Sequence, residues 1–211
     1  MRAGTEKLTI DGLVGMIEIA VDVPKIEPSE VKGLALVAHP HPLFGGAMDN
    51  KVAQTLAKTL NELGYIAVRP NFRGVGQTAG VHDHGVAETE DMLVVLEWMR
   101  AELGIFVGAP LVLAGFSFGS FVQSRVAAAL QARGEAVSRM IMVGTAAGKW
   151  DVAPVPSDSI VIHGELDDTI PLGAVMRWAE PLELPVTVVA GADHFFHRRL
   201  HIIKQIIVQQ W

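Results

Sequence analysis

The sequence predicts an α/β fold: a mostly parallel central sheet with helices on both faces and an antiparallel hairpin at its N-terminal end. Three observations predict it. Short apolar runs that read as buried strands alternate with segments of helical period, which is the pattern of strands joined by crossover helices. Each run is closed by glycine or proline, as at a strand's end. The chain has 211 residues, which favours a single domain spanning 1–211 with a substantial core.

The elements follow in order. Residues 7–10 and 14–21 flank Asp11-Gly12 and read as a hairpin at a sheet edge. Lys25 to Lys32, with Pro24 and Pro28 nearby, is a polar connection. Leu34 to Ala38 is a buried strand, ended by His39-Pro40-His41-Pro42, whose prolines remove ladder donors and force a loop. From Asp49 as N-cap, Val52, Leu56, Leu60 and Leu63 recur at helical spacing until Gly64. Tyr65 to Val68 is the next strand, and a helix carries Met92, Val95, Leu96 and Met99. Strand Leu111 to Ala114, a helix through Phe121, Val122, Arg125, Val126 and Leu130, and strand Met140 to Val143 continue the alternation. Ile160 to Ile162 and Val186 to Val189 are two further strands, and His197 to Trp211 forms a closing amphipathic helix with Leu200, Ile203, Ile206 and Ile207 on one stripe.

Composition narrows the function classes. Half the residues are hydrophobic and 19% are charged, which excludes a disordered or collagen-like chain. With 17 Lys and Arg against 23 Asp and Glu, the net charge of −6 has the wrong sign for phosphate backbones or anionic lipid, so neither nucleic acid nor membrane is an expected partner. The absence of cysteine removes disulfides, thiolate metal sites and a cysteine nucleophile, and fits a reducing compartment. Glu6, Asp11 and Glu18 interrupt every apolar run of the first 21 residues, so a soluble, cytoplasmic protein is expected.

The chemistry centres on Gly115-Phe116-Ser117-Phe118-Gly119, a G-x-S-x-G placed where a strand passes into a helix. Glycines there permit a crowded turn that projects the serine hydroxyl. A serine is barely ionised at neutral pH and needs a base, which in turn needs a group to orient it. Strand Ile160 to Ile162 leads into His163-Gly164-Glu165-Leu166-Asp167-Asp168-Thr169-Ile170-Pro171, and strand Val186 to Val189 leads into Gly191-Ala192-Asp193-His194-Phe195-Phe196.

With HPHPLFGGAMDNK, NFRGVGQTAG, GFSFGS, HGELDDTIP and GADHFF in this order over residues 39–196, the chain resembles the α/β-hydrolase superfamily, in particular a small lidless bacterial branch. The resemblance implies that Ser117 is the nucleophile, that His194 is general base and then acid, and that an aspartate of HGELDDTIP orients it. In similar sequences that acid lies four residues before the proline, which selects Asp167; Asp168 is the other candidate, or a helix N-cap. Of the two oxyanion-hole donors the residue after the nucleophile, Phe118, supplies one backbone N–H. Pro40 and Pro42 have none, which leaves His41 or Leu43 for the second, and alignment with the usual His-Gly-x loop favours His41.

The remaining motifs carry less. His39 and His41 alternate as zinc ligands do, but a proline follows each and no third ligand stands at ligand spacing. His197 and His201, at i and i+4, lack the intervening Glu of H-E-x-x-H and read as a solvated helix face. His82 and His84 lie in a polar loop and are expected to be exposed, with lining of the cleft as the other reading, and are given no role. Arg73 to Thr78 contains G-x-G too far from its strand for a dinucleotide site; in similar hydrolases the turn is a buttress, and Thr78 replaces the usual serine.

Only about sixteen residues, Gly144 to Ser159, join the strands between which lipase-like relatives insert a lid, so a full lid does not fit. An open site with Phe44, Phe118, Phe195 and Phe196 near its mouth favours small acyl groups. The expected activity is hydrolysis of small carboxylic esters through an acyl-enzyme, without cofactor or metal, by a monomer or homodimer. Alternatives are thioester or peptide-like cleavage on the same residues, or an idle binding module. Lactone cleavage of the dienelactone-hydrolase kind is disfavoured, because those enzymes use cysteine where Ser117 stands.

Overall fold

The computed structural model describes residues 3–103 and 108–211. Eight strands form one sheet in the order β1-β2-β4-β3-β5-β6-β7-β8. The strands β1 (Gly4–Asp11) and β2 (Met16–Val23) make the edge hairpin, and β2 pairs antiparallel with β4 (Tyr65–Pro70). From β4 onward, β3 (Gly33–Ala38), β5 (Leu111–Phe116), β6 (Arg139–Val143), β7 (Ile160–Gly164) and β8 (Val186–Val189) run parallel. Every residue of β3, β4 and β5 is buried, because helices cover both faces of the sheet's centre.

The period-2 alternation of side chains divides the core in two. Leu34 and Leu36 of β3, Leu113 of β5 and Met140 and Met142 of β6 pack with α2 (Val86–Glu102), α3 (Phe118–Ala132) and α4 (Leu172–Ala179). Ala35 and Val37, Val112 and Ala114, and Ile141 and Val143 face the other way, onto α1 (Lys51–Glu62) and α5 (Leu200–Gln210). Each fully buried Leu or Ile in these layers contributes roughly 1.5–3 kcal/mol of transfer free energy. No helix among the described residues is long and apolar enough to cross a membrane.

Three boundaries differ from the sequence expectation. The N-cap of α1 is Asn50, whose Oδ1 accepts from the N–H groups of Val52 (2.9 Å) and Ala53 (3.3 Å). Asp49 instead binds Lys7 at 2.6 Å, so of two adjacent residues able to cap, the one paired with the hairpin is diverted. The last helix starts at Leu200 rather than His197, because Phe196 and Arg198 hold left-handed φ values of 52° and 61° that no α-helix accommodates. His197 and His201 therefore do not share a helix face; His197 bonds Asp193 at 2.6 Å. The short α4, with Ala174, Val175 and Ala179 buried, has too few turns to show as a periodic stripe in the sequence.

The glycine-rich turn is a buttress. Arg73 makes a two-point contact with Asp91 of α2 at 2.7 and 3.0 Å, and the Thr78 hydroxyl donates to the Asn71 carbonyl and accepts from the Glu18 N–H. The hairpin is tied to the sheet by the buried Arg69–Asp22 pair at 2.7 Å. Residues 144–159, between β6 and β7, contain no helix.

Candidate active site

The loops following β3, β4, β5, β6, β7 and β8 lie at the carboxyl ends of the parallel strands, where ligands of open α/β sheets bind. Ser117 occupies the turn between β5 and α3 with φ 55° and ψ −122°, a conformation costly for a residue bearing a Cβ. Its N–H donates to the Val143 carbonyl at 2.9 Å, pinning the turn to the end of β6. Glycine is required on both sides. A Cβ on Gly115 would drive into the backbone of Gly119 and Ser120, and one on Gly119 into the carbonyl oxygens of Ala38 and His39. The second close approach brings the start of α3 against the loop that follows β3.

His194, after β8, lies with Nε2 2.9 Å from Ser117 Oγ and Nδ1 2.7 Å from Asp167 Oδ2. All three residues are buried. Asp167, after β7, is held by its other oxygen, which accepts from the N–H groups of Thr169 (2.9 Å) and Ile170 (2.7 Å). Because an ionised carboxylate only accepts, the His194 proton resides on Nδ1 and Nε2 is free to accept from the serine hydroxyl. Burial pushes the Asp167 carboxyl up. The bond from His194, the Ile170 N–H and the two neighbouring imidazoles outweigh burial and hold it below the ordinary carboxylate value. Asp168 is exposed, touches only the Thr169 hydroxyl and caps no helix, so the structure brings Asp167 and not Asp168 to the histidine.

The Leu43 N–H is occupied by His41 Nδ1 at 3.2 Å. Among the described residues the N–H groups of Phe118 and His41 donate to no protein acceptor, and the two side chains touch, with ring centroids 4.8 Å apart. Such a constellation can take a proton from a hydroxyl and offer two donors to a developing negative charge.

Comparison with known proteins shows the family. A family model described as a thioesterase domain matches residues 75–158. An uncharacterized protein of Rickettsia prowazekii is 32% identical over 187 residues, covering 82% of this chain and 76% of that one. A solved structure from Xanthomonas campestris, described as an α/β serine hydrolase without lid, is 38% identical, covers 100% of this chain and 94% of that chain, and superposes with a TM-score of 0.88. The chain belongs to the lidless α/β serine hydrolases. A serine hydrolase homologue from Coxiella burnetii, 35% identical over 99% of this chain and 98% of that one at a TM-score of 0.83, is similar to this lidless hydrolase as well.

Several site residues of the hydrolase escape sequence reading. His82, expected to be exposed, has a side chain only 5% accessible, and it bonds the buried Glu88 at 2.7 Å. His84 is exposed. Trp150, on the short β6–β7 connection, stacks on Phe121 at 5.1 Å and meets Phe118 edge-on at 5.0 Å. Of the four phenylalanines expected at the mouth, Phe44 (85% accessible) and Phe195 (45%) are exposed, whereas Phe118 (1%) and Phe196 (0%) belong to the core. Both follow sharp turns that fold their side chains inward.

Two buried histidines brace the site. His163 lies 3.5 Å from Asp167 Oδ2 and donates through Nε2 to the Ile170 carbonyl at 2.9 Å; burial lowers its pKa. His39 donates through Nδ1 to the Pro40 carbonyl (2.6 Å) and accepts the Phe72 N–H at Nε2 (2.9 Å), so neither nitrogen is free for a metal. Among the described residues no three His, Cys, Asp or Glu groups are placed to hold an ion.

His39 makes a pH prediction. Burial lowers its pKa from 6.5 to about 3. Between those values the unfolded chain binds a proton that the native state excludes, so stability is fully present above pH 6.5 and falls as pH drops, by about 1.4 kcal/mol per unit. Urea unfolding at pH 7, 6 and 5 should show this decline, and a His39→Gln variant should be less stable at pH 7 with a shallower slope. An unchanged slope in the variant would remove His39 as its source.

Proposed function

We propose that this hydrolase cleaves small carboxylic esters through an acyl-enzyme. Ser117 Oγ attacks the carbonyl carbon while His194 Nε2 takes its proton. Asp167 holds the imidazole in the required tautomer and stabilises the imidazolium. The N–H groups of Phe118 and His41 receive the oxyanion. Collapse expels the alkoxide, which takes the proton from His194. A water then gives a proton to His194 as it attacks the acyl carbon, and the adduct collapses to the acid as Ser117 Oγ leaves and takes that proton back from His194. No cofactor enters any step.

The observation that carries this reading is the unbroken chain from Ser117 Oγ through His194 to Asp167, at 2.9 and 2.7 Å. The helix-free β6–β7 connection supports small, accessible substrates, and the exposed Leu43, Phe44, Leu166 and Phe195 on neighbouring loops offer apolar surface to them. We further propose a cytoplasmic monomer or homodimer whose partner is the small-molecule ester, with no nucleic acid or membrane. A second reading, acyl-thioester hydrolysis on the same residues, is favoured by the thioesterase-domain match over residues 75–158.

A hydrolysis series on p-nitrophenyl esters from acetate to palmitate, run beside acyl-CoA thioesters, separates the two. Activity peaking at short esters is expected, with a fluorophosphonate probe labelling Ser117 stoichiometrically. Faster turnover of acyl-CoA would favour the thioesterase reading. A folded protein that neither turns over nor takes the label would sink both.

A further inference from the structure

We propose that Glu88 and His82 form a positioning pair for the His41 arm of the oxyanion hole. Glu88, in the first turn of α2, is wholly buried. Its Oε1 accepts from His82 Nδ1 (2.7 Å) and the Asp83 N–H (2.9 Å), and its Oε2 from the Gly85 N–H (2.8 Å). Three donors from residues 82–85 thus close on one carboxylate, which fixes the loop and sets the rotation of the His82 ring.

That ring lies against the two residues whose N–H groups are free. Its centroid is 4.7 Å from His41 and 5.4 Å from Phe118. His41 is further confined by Phe44 and Phe118, each at 4.8 Å, and by the Leu43 N–H on its Nδ1. With its ring wedged on these sides, the His41 backbone has little freedom to rotate, and the direction of its N–H follows. Burial and the neighbouring His82 both lower the His41 pKa, so His41 stays uncharged against His82.

The second nitrogen of His82 shows that more than packing is at stake. Among the described residues Nε2, though buried, has no hydrogen-bond partner, a state that costs free energy. Phenylalanine would fill the same space without that cost, but Glu88 could not hold it in one rotation. Trp150, itself stacked on Phe121, stands with its ring centroid 5.7 Å from His41 and 6.5 Å from His82 and adds a further wall.

The inference rests on the acyl-transfer reading, and its test separates the two. H82F keeps a ring and loses the bond to Glu88; H82N keeps a donor for Glu88 and loses the ring. Both variants, checked by thermal melting, are expected to lower kcat on p-nitrophenyl acetate by about tenfold with KM within about twofold, a fraction of the effect of deleting an oxyanion donor. Inhibition by phenylboronic acid, whose tetrahedral adduct on Ser117 places an oxygen in the oxyanion position, should weaken by the same factor. Wild-type kcat in H82F, or a loss confined to KM, would overturn the pair's role, and if H82F does not fold, wild-type kcat in H82N would do so. Should Ser117→Ala keep the parent activity, the acyl-transfer reading itself falls.

Discussion

Ser117→Ala is expected to lower kcat/KM on short p-nitrophenyl esters by a factor on the order of 10⁴ or more, because in the proposed mechanism the hydroxyl, His194 and Asp167 act as a unit whose first member is the nucleophile. The fold should survive: the Ser117 backbone is held by the Val143 carbonyl and by the first turn of α3, and neither uses the hydroxyl. The same position makes a second measurement decisive. With φ 55° and ψ −122°, it suits glycine and strains any residue carrying a Cβ by roughly 1–3 kcal/mol. In ordinary backbone, alanine is more stable than glycine by about 0.4–1 kcal/mol through the unfolded state. Here the order should invert, with Ser117→Gly melting a few degrees above Ser117→Ala at about 2–4 °C per kcal/mol. Both variants should be inactive. A glycine variant melting below the alanine variant would show that the turn stores no strain, and an alanine variant retaining activity would show that Ser117 is not the nucleophile.

This strain explains what the sequence could and could not reveal. Gly115 and Gly119 flank Ser117 because two backbone approaches leave no room for a Cβ, and those local demands leave a five-residue trace that can be read directly. His194 and the aspartates of HGELDDTIP each follow a strand's apolar run by a few residues, but the preference for Asp167 over Asp168 came from the resemblance and not from the local pattern. The proposed oxyanion arm was half legible: two prolines eliminated two donors and the resemblance favoured His41 over Leu43, whose N–H meets a ring nitrogen in the structure. His82, Glu88 and Trp150 left no trace. Their burial depends on how the loop after β4 and the connection after β6 fold over Phe118, and a polar loop at Val81 to Gly85 looks the same in sequence whether it is solvated or packed. The late start of α5 was hidden as well, because the left-handed φ values of Phe196 and Arg198 interrupt a run that the apolar period alone would continue. Residues set by pairwise chemistry were legible, and residues set by the convergence of loops were not.

Asp167→Asn is expected to lower kcat by a factor on the order of 10³–10⁴ while leaving the fold in place, the scale seen when a triad aspartate is changed to an amide. The structural part of the side chain persists, because the amide oxygen can still accept from the Thr169 and Ile170 N–H groups as Oδ1 does. The amide nitrogen then faces His194 as a donor, and His194 Nδ1 becomes an acceptor. The ring proton is forced onto Nε2, where it confronts the Ser117 hydroxyl donor to donor at a separation of 2.9 Å in the parent. The base is thus blocked without removing any ring, and the imidazolium that forms on attack loses its counter-charge. Fluorophosphonate labelling of Ser117 should slow in parallel with kcat, since it needs the same proton transfer, whereas the melting temperature should change by only a few degrees. Asp168→Asn, at an exposed residue that touches only the Thr169 hydroxyl, should leave both rates within about twofold of the parent, as surface changes away from a site do. Equal losses in the two variants would remove the distinction between the aspartates. A full-rate Asp167→Asn protein would mean that His194 is oriented by another group.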